Sequence, residues 1–424
     1  MDRFKETVKS QTFELSCLDA NASYCTVPFY FYYKNEDSSS LFMQAELLEE
    51  SFFTVLQEFP ILAGRLHMKT GGIGASIKVD RNDINMPDYC EINSGVHFDE
   101  LEAARFSWDA LPAEISQPGY VLRKGTDGII KLATIKIARL HANSGLVLLA
   151  NIGHVVMDTN GVVAFLNRWA QLCKQQMDGG GDPTSFKPFE PLWHDRKRLY
   201  DSLPDKGEPL DHVTGMISET KSVVSTCFAR MSPETRSKVM GFTISFFPAD
   251  SHMFRLSLQK LRALKEAVLA SKLVDGHSIS DNDIITALLC MVVIQCNKGH
   301  SSVASDESRS SFFRRSKEAK GKKHYKIEQR LITLAVDSRY RLGNHDLARY
   351  TGNGTLSHVL AFPLQDICAD IEPMSLARCA LRVREGVDRI SPQYVREFIG
   401  LGDSAPDCFQ RLMAYMMRVP TRFC

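Results

Sequence analysis

The sequence predicts a mixed α/β protein, α+β in organisation, and three observations carry that expectation. Strand-like segments come in neighbouring pairs, at 12–33 and 128–154. Amphipathic helical segments stand between and after them in both halves of the chain. The length, 424 residues, implies two or three domains at about 150 residues each. With 44% hydrophobic and 24% charged residues, the chain can fill a large core and is too apolar to be wholly disordered.

Taken in order, TFELSCL and the aromatic run VPFYFYY read as two strands across 12–33. Leu41 to Phe59 follows a helical period, with Leu47, Leu48, Phe52, Val55 and Leu56 on one face, and Pro60 stops it. GIIKLATIKIAR (128–139) alternates like a strand. The turn HANSG leads into LVLLANIGH, a spacing that suits antiparallel pairing. Asp158, Thr159 and Asn160 are candidate N-caps for a helix with Val162, Phe165, Leu166, Trp169 and Cys173 in register. The second half opens with a strand near Ser222 to Arg230 and a helix from about Phe254 to Ala270. Ser280 and Asp283 form a capping-box-like pair before the helix IITALLCMVVIQC. The strand RLITLAVDSR and a helix from Pro373 to Arg389 follow. The domains expected are 1–185 and 216–424, joined by a Pro-rich crossover at 186–215, with a basic, solvated insertion near 298–329. Trp169 and the aromatic run 29–33 are expected in the core.

Composition excludes several classes of function. Lys and Arg (51) balance Asp and Glu (50), so the basic excess of a dedicated nucleic-acid binder is missing. The longest apolar stretch, Gly145 to Met157, is interrupted by Asn151 and His154 and falls short of the roughly 20 residues of a membrane span. The start MDRFKETVKSQTFEL lacks a signal-peptide core, and 11 scattered cysteines without a CxxC pair suit reduced thiols better than disulfides or a zinc site. A cytoplasmic protein without a metal is the expectation.

Chemistry concentrates in NIGHVVMDTNG. His154 ends an apolar strand, and Asp158 follows four residues on, at a helix start. A neutral imidazole can take a proton from an attacking hydroxyl or amine, provided that it is held in one orientation. The spacing alone is weak: His277 and Asp281 in HSISD repeat it, but in a polar loop with no strand delivering the histidine. A satisfied core histidine is the competing reading for His154.

Around this motif the sequence resembles the BAHD acyltransferases, most of all their fungal trichothecene acetyltransferase-like branch. The family's H-x-x-x-D and following glycine are read here as His154, Asp158 and Gly161. Seven other pieces stand in the family's order. LSCLD (15–19) resembles its L-S-x-L-D, FPILAGRL (59–66) its P-x-A-G-R segment, and PLWHDR (191–196) the D-R of its crossover. ISDNDIITALL (279–289), VDSRYRL (336–342), YTGNG (350–354) and SLARCALRVREGV (375–387) resemble its S-x-N-D helix, V-D-x-R-x-R, Y-x-G-N and final L-x-x-x-A helix. The family's D-F-G-W-G signature is not found after the last of these, so the C-terminal domain is expected to be incomplete.

The resemblance implies two chloramphenicol-acetyltransferase-like domains with mixed sheets and flanking helices, and a channel between them. It implies an acyl-CoA co-substrate, no permanently bound cofactor, a small-molecule alcohol or amine acceptor of secondary metabolism, and a monomer. His154 would be the general base. Asp158 would be structural, paired with Arg339, and Asn353 would lack its usual partner, the aspartate of D-F-G-W-G. Two rivals stay open: a condensation-domain-like acyltransferase, and a catalytically impaired paralogue acting as a binding protein.

Overall fold

A computed structural model of the chain describes residues 2–22, 25–68, 74–116, 122, 124–125, 127–177, 190–205, 254–300 and 329–404. The strand expected at 222–230, most of the basic insertion and the final 20 residues lie outside them.

The first half begins with α1 (Asp2–Thr7), β1 (Gln11–Glu14), α2 (Cys17–Asn21) and β2 (Thr26–Lys34). The strand read over TFELSCL therefore ends early. Ser16 and Asp19 form a capping box, the Ser16 hydroxyl accepting from the Asp19 N–H while the Asp19 carboxylate accepts from the Ser16 N–H, and a short helix starts there instead. Helix α3 (Ala45–Glu58), β3 (Arg65–Met68), β4 (Ala75–Val79), β5 (Asp88–Asn93) and α4 (Phe98–Ala103) follow. Then come β6 (Ala133–Arg139), β7 (Gly145–Gly153) and α5 (Thr159–Met177).

These strands form a three-stranded antiparallel sheet, β1-β4-β3, and a mixed four-stranded sheet, β2-β7-β6-β5, in which only β5 and β6 run parallel. Central strand β7 is buried on both faces, which explains its near-continuous apolar sequence. Leu146, Leu148, Ala150 and Ile152 face the main core with α3 and α5, whereas Val147 and Leu149 face a second cluster under α4. The aromatic run of β2 divides in the same way: Phe29 and Phe31 pack on the first core, Tyr30 and Tyr32 on the second. Helix α5 buries Val162, Phe165 and Trp169, and the Trp169 indole N–H donates to Ser51 Oγ at 2.9 Å.

The crossover carries α6 (Lys197–Asp201). The second half contains α7 (Leu258–Ala270), α8 (Asp281–His300), β8 (Gln329–Asp337), β9 (Thr355–Pro363), α9 (Leu364–Ile367), α10 (Pro373–Asp388) and α11 (Pro392–Ser404). Strands β8 and β9 pair antiparallel. Ser257 caps α7, so this helix starts four residues after Phe254. Ser280 and Asp283 cap α8 reciprocally, and the Asp283 carboxylate also accepts from Nε and Nη2 of Arg384 on α10. Helix α11 was not among the elements read from the sequence. No helix among the described residues is long and apolar enough to cross a membrane.

A further cluster joins the two halves. Cys17 and Leu18 of α2 and Leu199 of α6 pack with Tyr350, Leu356, Tyr394, Val395 and Ile399. The N-terminal segment thus docks on elements from the far end of the described chain.

Candidate active site

Strand β7 delivers His154 to the turn that separates it from α5. The residue is only partly buried. Its Nδ1 is shielded from solvent and has no hydrogen-bond partner among the described residues. Its backbone is fixed on both sides. The N–H donates to Cys25 O at 2.8 Å, and the C=O accepts from Asn353 Nδ2 at 2.7 Å.

Four residues on, Asp158 precedes the first turn of α5 and is 2% exposed. Its carboxylate takes the Arg339 guanidinium bidentately, Nη1 at 2.8 Å and Nη2 at 2.9 Å. It also accepts from the N–H groups of Gly161 and Gly354 and from the Thr355 hydroxyl. Burial by itself raises the carboxyl pKa, but the charge and hydrogen bonds of Arg339, with the two backbone donors, outweigh it and hold Asp158 below the ordinary carboxylate value. Burial likewise works against the Arg339 charge, and Asp158 and Asp337 more than offset it. Arg339 further donates to Tyr350 O, Gly352 O and Asp337 Oδ1. It is 1% exposed, so the pair with Asp158 lies in the interior and not at the surface.

Gly161 sits where the first turn of α5 meets the 351–354 segment. A Cβ there would stand 2.3 Å from Thr351 O and 2.6 Å from Met157 Cβ. Asn353 is not without a carboxylate partner: its N–H and Nδ2 both donate to Asp19 Oδ1, at 2.8 and 2.7 Å. Asp19 is fully buried, and its Oδ2 accepts from Ser16 N–H and Oγ–H. Arg196 Nε lies 3.2 Å from that oxygen, an ion pair whose N–H is not aimed for a hydrogen bond. The Arg196 Nη2 donates to Val156 O and its Nη1 to His194 O. The rings and cations stack as well: both Arg196 and Arg339 lie against the Tyr350 ring, at 5.7 and 5.4 Å.

Sequence reasoning singled out His154, Asp158, Gly161, Arg339 and Asn353, and all five converge within this one polar network. It missed Asp19 and Arg196 as members. Both stand inside matched motifs, LSCLD and PLWHDR, but a single sequence does not say which motif residues meet. The second H-x-x-x-D looks different: His277 is exposed, and Asp281 pairs with Lys265 at the start of α8. Among the described residues, no group of three His, Cys, Asp or Glu side chains is placed to hold a metal ion.

Comparison with known proteins identifies the family and the fold. The profile of the Transferase family matches residues 5–418. No curated protein matches by sequence. Among solved structures, the chain resembles TRI101 of F. graminearum complexed with ethyl coenzyme A, at 15% identity and TM-score 0.60, over 94% of this chain and 80% of that one. A complex of the same protein with coenzyme A and T-2 mycotoxin matches at 16% identity and TM-score 0.60, over 94% and 79%. Vinorine synthase matches at 16% identity and TM-score 0.50, over 89% and 75%. At these identities the solved structures show the shared fold.

Proposed function

The chain belongs to the Transferase family, that of the BAHD acyltransferases, and from this premise we propose that His154 is the general base in transfer of an acyl group from a CoA thioester to a small-molecule hydroxyl or amine. The observation that carries the assignment is the placement of His154. The residue is partly exposed, its Nδ1 has no hydrogen-bond partner among the described residues, and the turn that carries it is held at its backbone by Cys25 and Asn353.

In this reading the imidazole takes the acceptor's O–H or N–H proton as the acceptor attacks the thioester carbonyl. The tetrahedral oxyanion collapses, the C–S bond breaks, and the imidazolium proton goes to the departing thiolate. No nucleophilic Ser or Cys is required. Base assistance of this kind contributes roughly 10²–10⁴-fold, and positioning supplies much of the rest. Asp158 and Arg339 hold the loop, Gly161 lets α5 approach the 351–354 segment, and Asn353 holds the His154 carbonyl. The co-substrate is acyl-CoA, bound in a channel between domains at 1–185 and 216–424, with no permanently bound cofactor. A monomer of the cytoplasm acting in secondary metabolism is the accompanying proposal.

Thiol release from acetyl-CoA and malonyl-CoA, measured with a panel of alcohols and amines, tests this. T-2 mycotoxin and deoxynivalenol belong in the panel because both are bound by TRI101. The expected outcome is turnover by the wild type and a loss of about 10²-fold or more in His154→Ala at unchanged melting temperature. A His154→Ala variant that keeps most of the activity overturns the base assignment.

A further inference from the structure

We infer that Asp19 is a positioning residue for the reaction: it holds the turn that carries His154 by directing two donors, Asn353 and Arg196, onto two carbonyls of that turn. The inference rests on His154 being the base.

Two of the turn's carbonyls are gripped by side chains from elsewhere in the chain. His154 O accepts from Asn353 Nδ2, and Val156 O accepts from Arg196 Nη2. Those two side chains come from the second half and from the crossover, and both touch the same carboxylate. Asp19 Oδ1 takes the backbone and side-chain N–H groups of Asn353, and Oδ2 faces Arg196 Nε at 3.2 Å. The arrangement fixes the direction of the Asn353 amide. One Nδ2 proton goes to Asp19 and the other to His154 O. Turned over, the amide oxygen would face a carboxylate and a carbonyl, two acceptors with no proton to share. Asp19 therefore decides that Asn353 presents a donor to the catalytic turn. Its own position is set in turn by Ser16, whose N–H and hydroxyl occupy Oδ2.

Asp158 does not duplicate this role. Its donors are Arg339, Gly161, Gly354 and Thr355, at the helix end of the loop, whereas the Asp19 arms end on the turn itself. A network needed only for stability could be replaced by apolar packing of similar volume, and nothing in that role requires donors aimed at the His154 turn. A positioning role makes a separate demand: loosening the turn slows the chemical step and leaves substrate affinity alone.

The test uses the full chain, acetyl-CoA and the panel acceptor that the wild type turns over fastest, with rates expressed per folded molecule from circular dichroism. Asp19→Asn keeps the shape and removes the charge. The expected result is a kcat lower by about tenfold or more with KM for acetyl-CoA within about twofold. Adding Asn353→Ser to Asp19→Asn should cost less than about twofold further, because the Asn353 arm is already released once the Asp19 charge is gone. A kcat within twofold of wild type overturns the proposal, as does a fall explained wholly by lost folded protein, or a double variant whose losses multiply. If Asp19→Asn does not fold, Asn353→Ser alone decides by the same thresholds, since it leaves Asp19 its Ser16 and Arg196 contacts. His154→Ala in the same assay separates the two claims. If it is inactive while Asp19→Asn is normal, only the positioning role fails; if it is active, the base assignment fails whatever Asp19→Asn does.

Discussion

At the scale of single residues, Asp158 and Arg339 form a buried ion pair whose value lies in being complete. Replacing Asp158 by Asn leaves a guanidinium 1% exposed, with Asp337 as its remaining anionic contact. Breaking a buried pair from one side costs about 3–5 kcal/mol. The Asp158→Asn variant is therefore expected to melt several degrees below the wild type, in contrast to His154→Ala, which removes a side chain from a partly exposed residue whose Nδ1 has no partner among the described residues. Scanning calorimetry of the two variants checks this, and equal melting temperatures would refute it. The H-x-x-x-D spacing made His154 and Asp158 legible in the sequence, because a strand end and a helix start frame it. Asp19 was not legible as a partner of Asn353, since the two are 334 positions apart and only tertiary packing joins them. Its local signal, the S-x-x-D capping box at 16–19, was present but lay under the alternating pattern of TFELSCL.

Strand β7, the His154 turn and α5 form the unit that matters at the scale of elements, and Gly161 is its tightest point. The atoms that a Cβ would meet are the Thr351 carbonyl and the Met157 Cβ, neither at the end of a flexible side chain. Gly161→Ala must push the first turn of α5 away from the 351–354 segment. That would stretch the Asp158 contacts to Gly354 and Arg339 together. Overpacking of this kind typically costs about 1–3 kcal/mol. The expected variant melts lower and turns over more slowly, measured by calorimetry and thiol release, and normal values of both would show that the two segments can separate freely. Among other elements, the helices α3, α5 and α7 are readable from their apolar periods, α8 from its capping box, and β7 from an apolar run behind a turn. Helix α11 has only a local start signal, Ser391 before Pro392, with Ser391 Oγ accepting from Tyr394 N–H. Its buried residues Tyr394, Val395 and Ile399 face the joint with α2 and α6, a surface that no local pattern announces.

At the scale of the whole molecule, the crossover is the seam on which both halves bear, and it carries a titratable group. His194 packs its ring edge-on against Phe59 at 4.8 Å and places Nδ1 2.9 Å from Thr351 Oγ1, so it touches both halves. Burial, with Arg196 adding to it, pushes its pKa down to about 4. Free histidine titrates near 6.5, so between about pH 6.5 and 4 the unfolded chain binds more protons than the native one. The contribution of His194 is therefore complete above pH 6.5 and is lost as pH falls towards 4, with a full size on the order of 3 kcal/mol. Asp158 acts in a lower window: its carboxyl is held below the ordinary value, so its share is present above about pH 4 and lost only beneath that. The melting temperature of the wild type is expected to fall between pH 6.5 and 4. His194→Gln can keep a hydrogen bond to Thr351 without titrating, and it should flatten that limb while leaving the steeper loss below pH 4. Calorimetry of the two proteins across this range decides the matter. An unchanged slope in His194→Gln would assign the acid sensitivity to other groups.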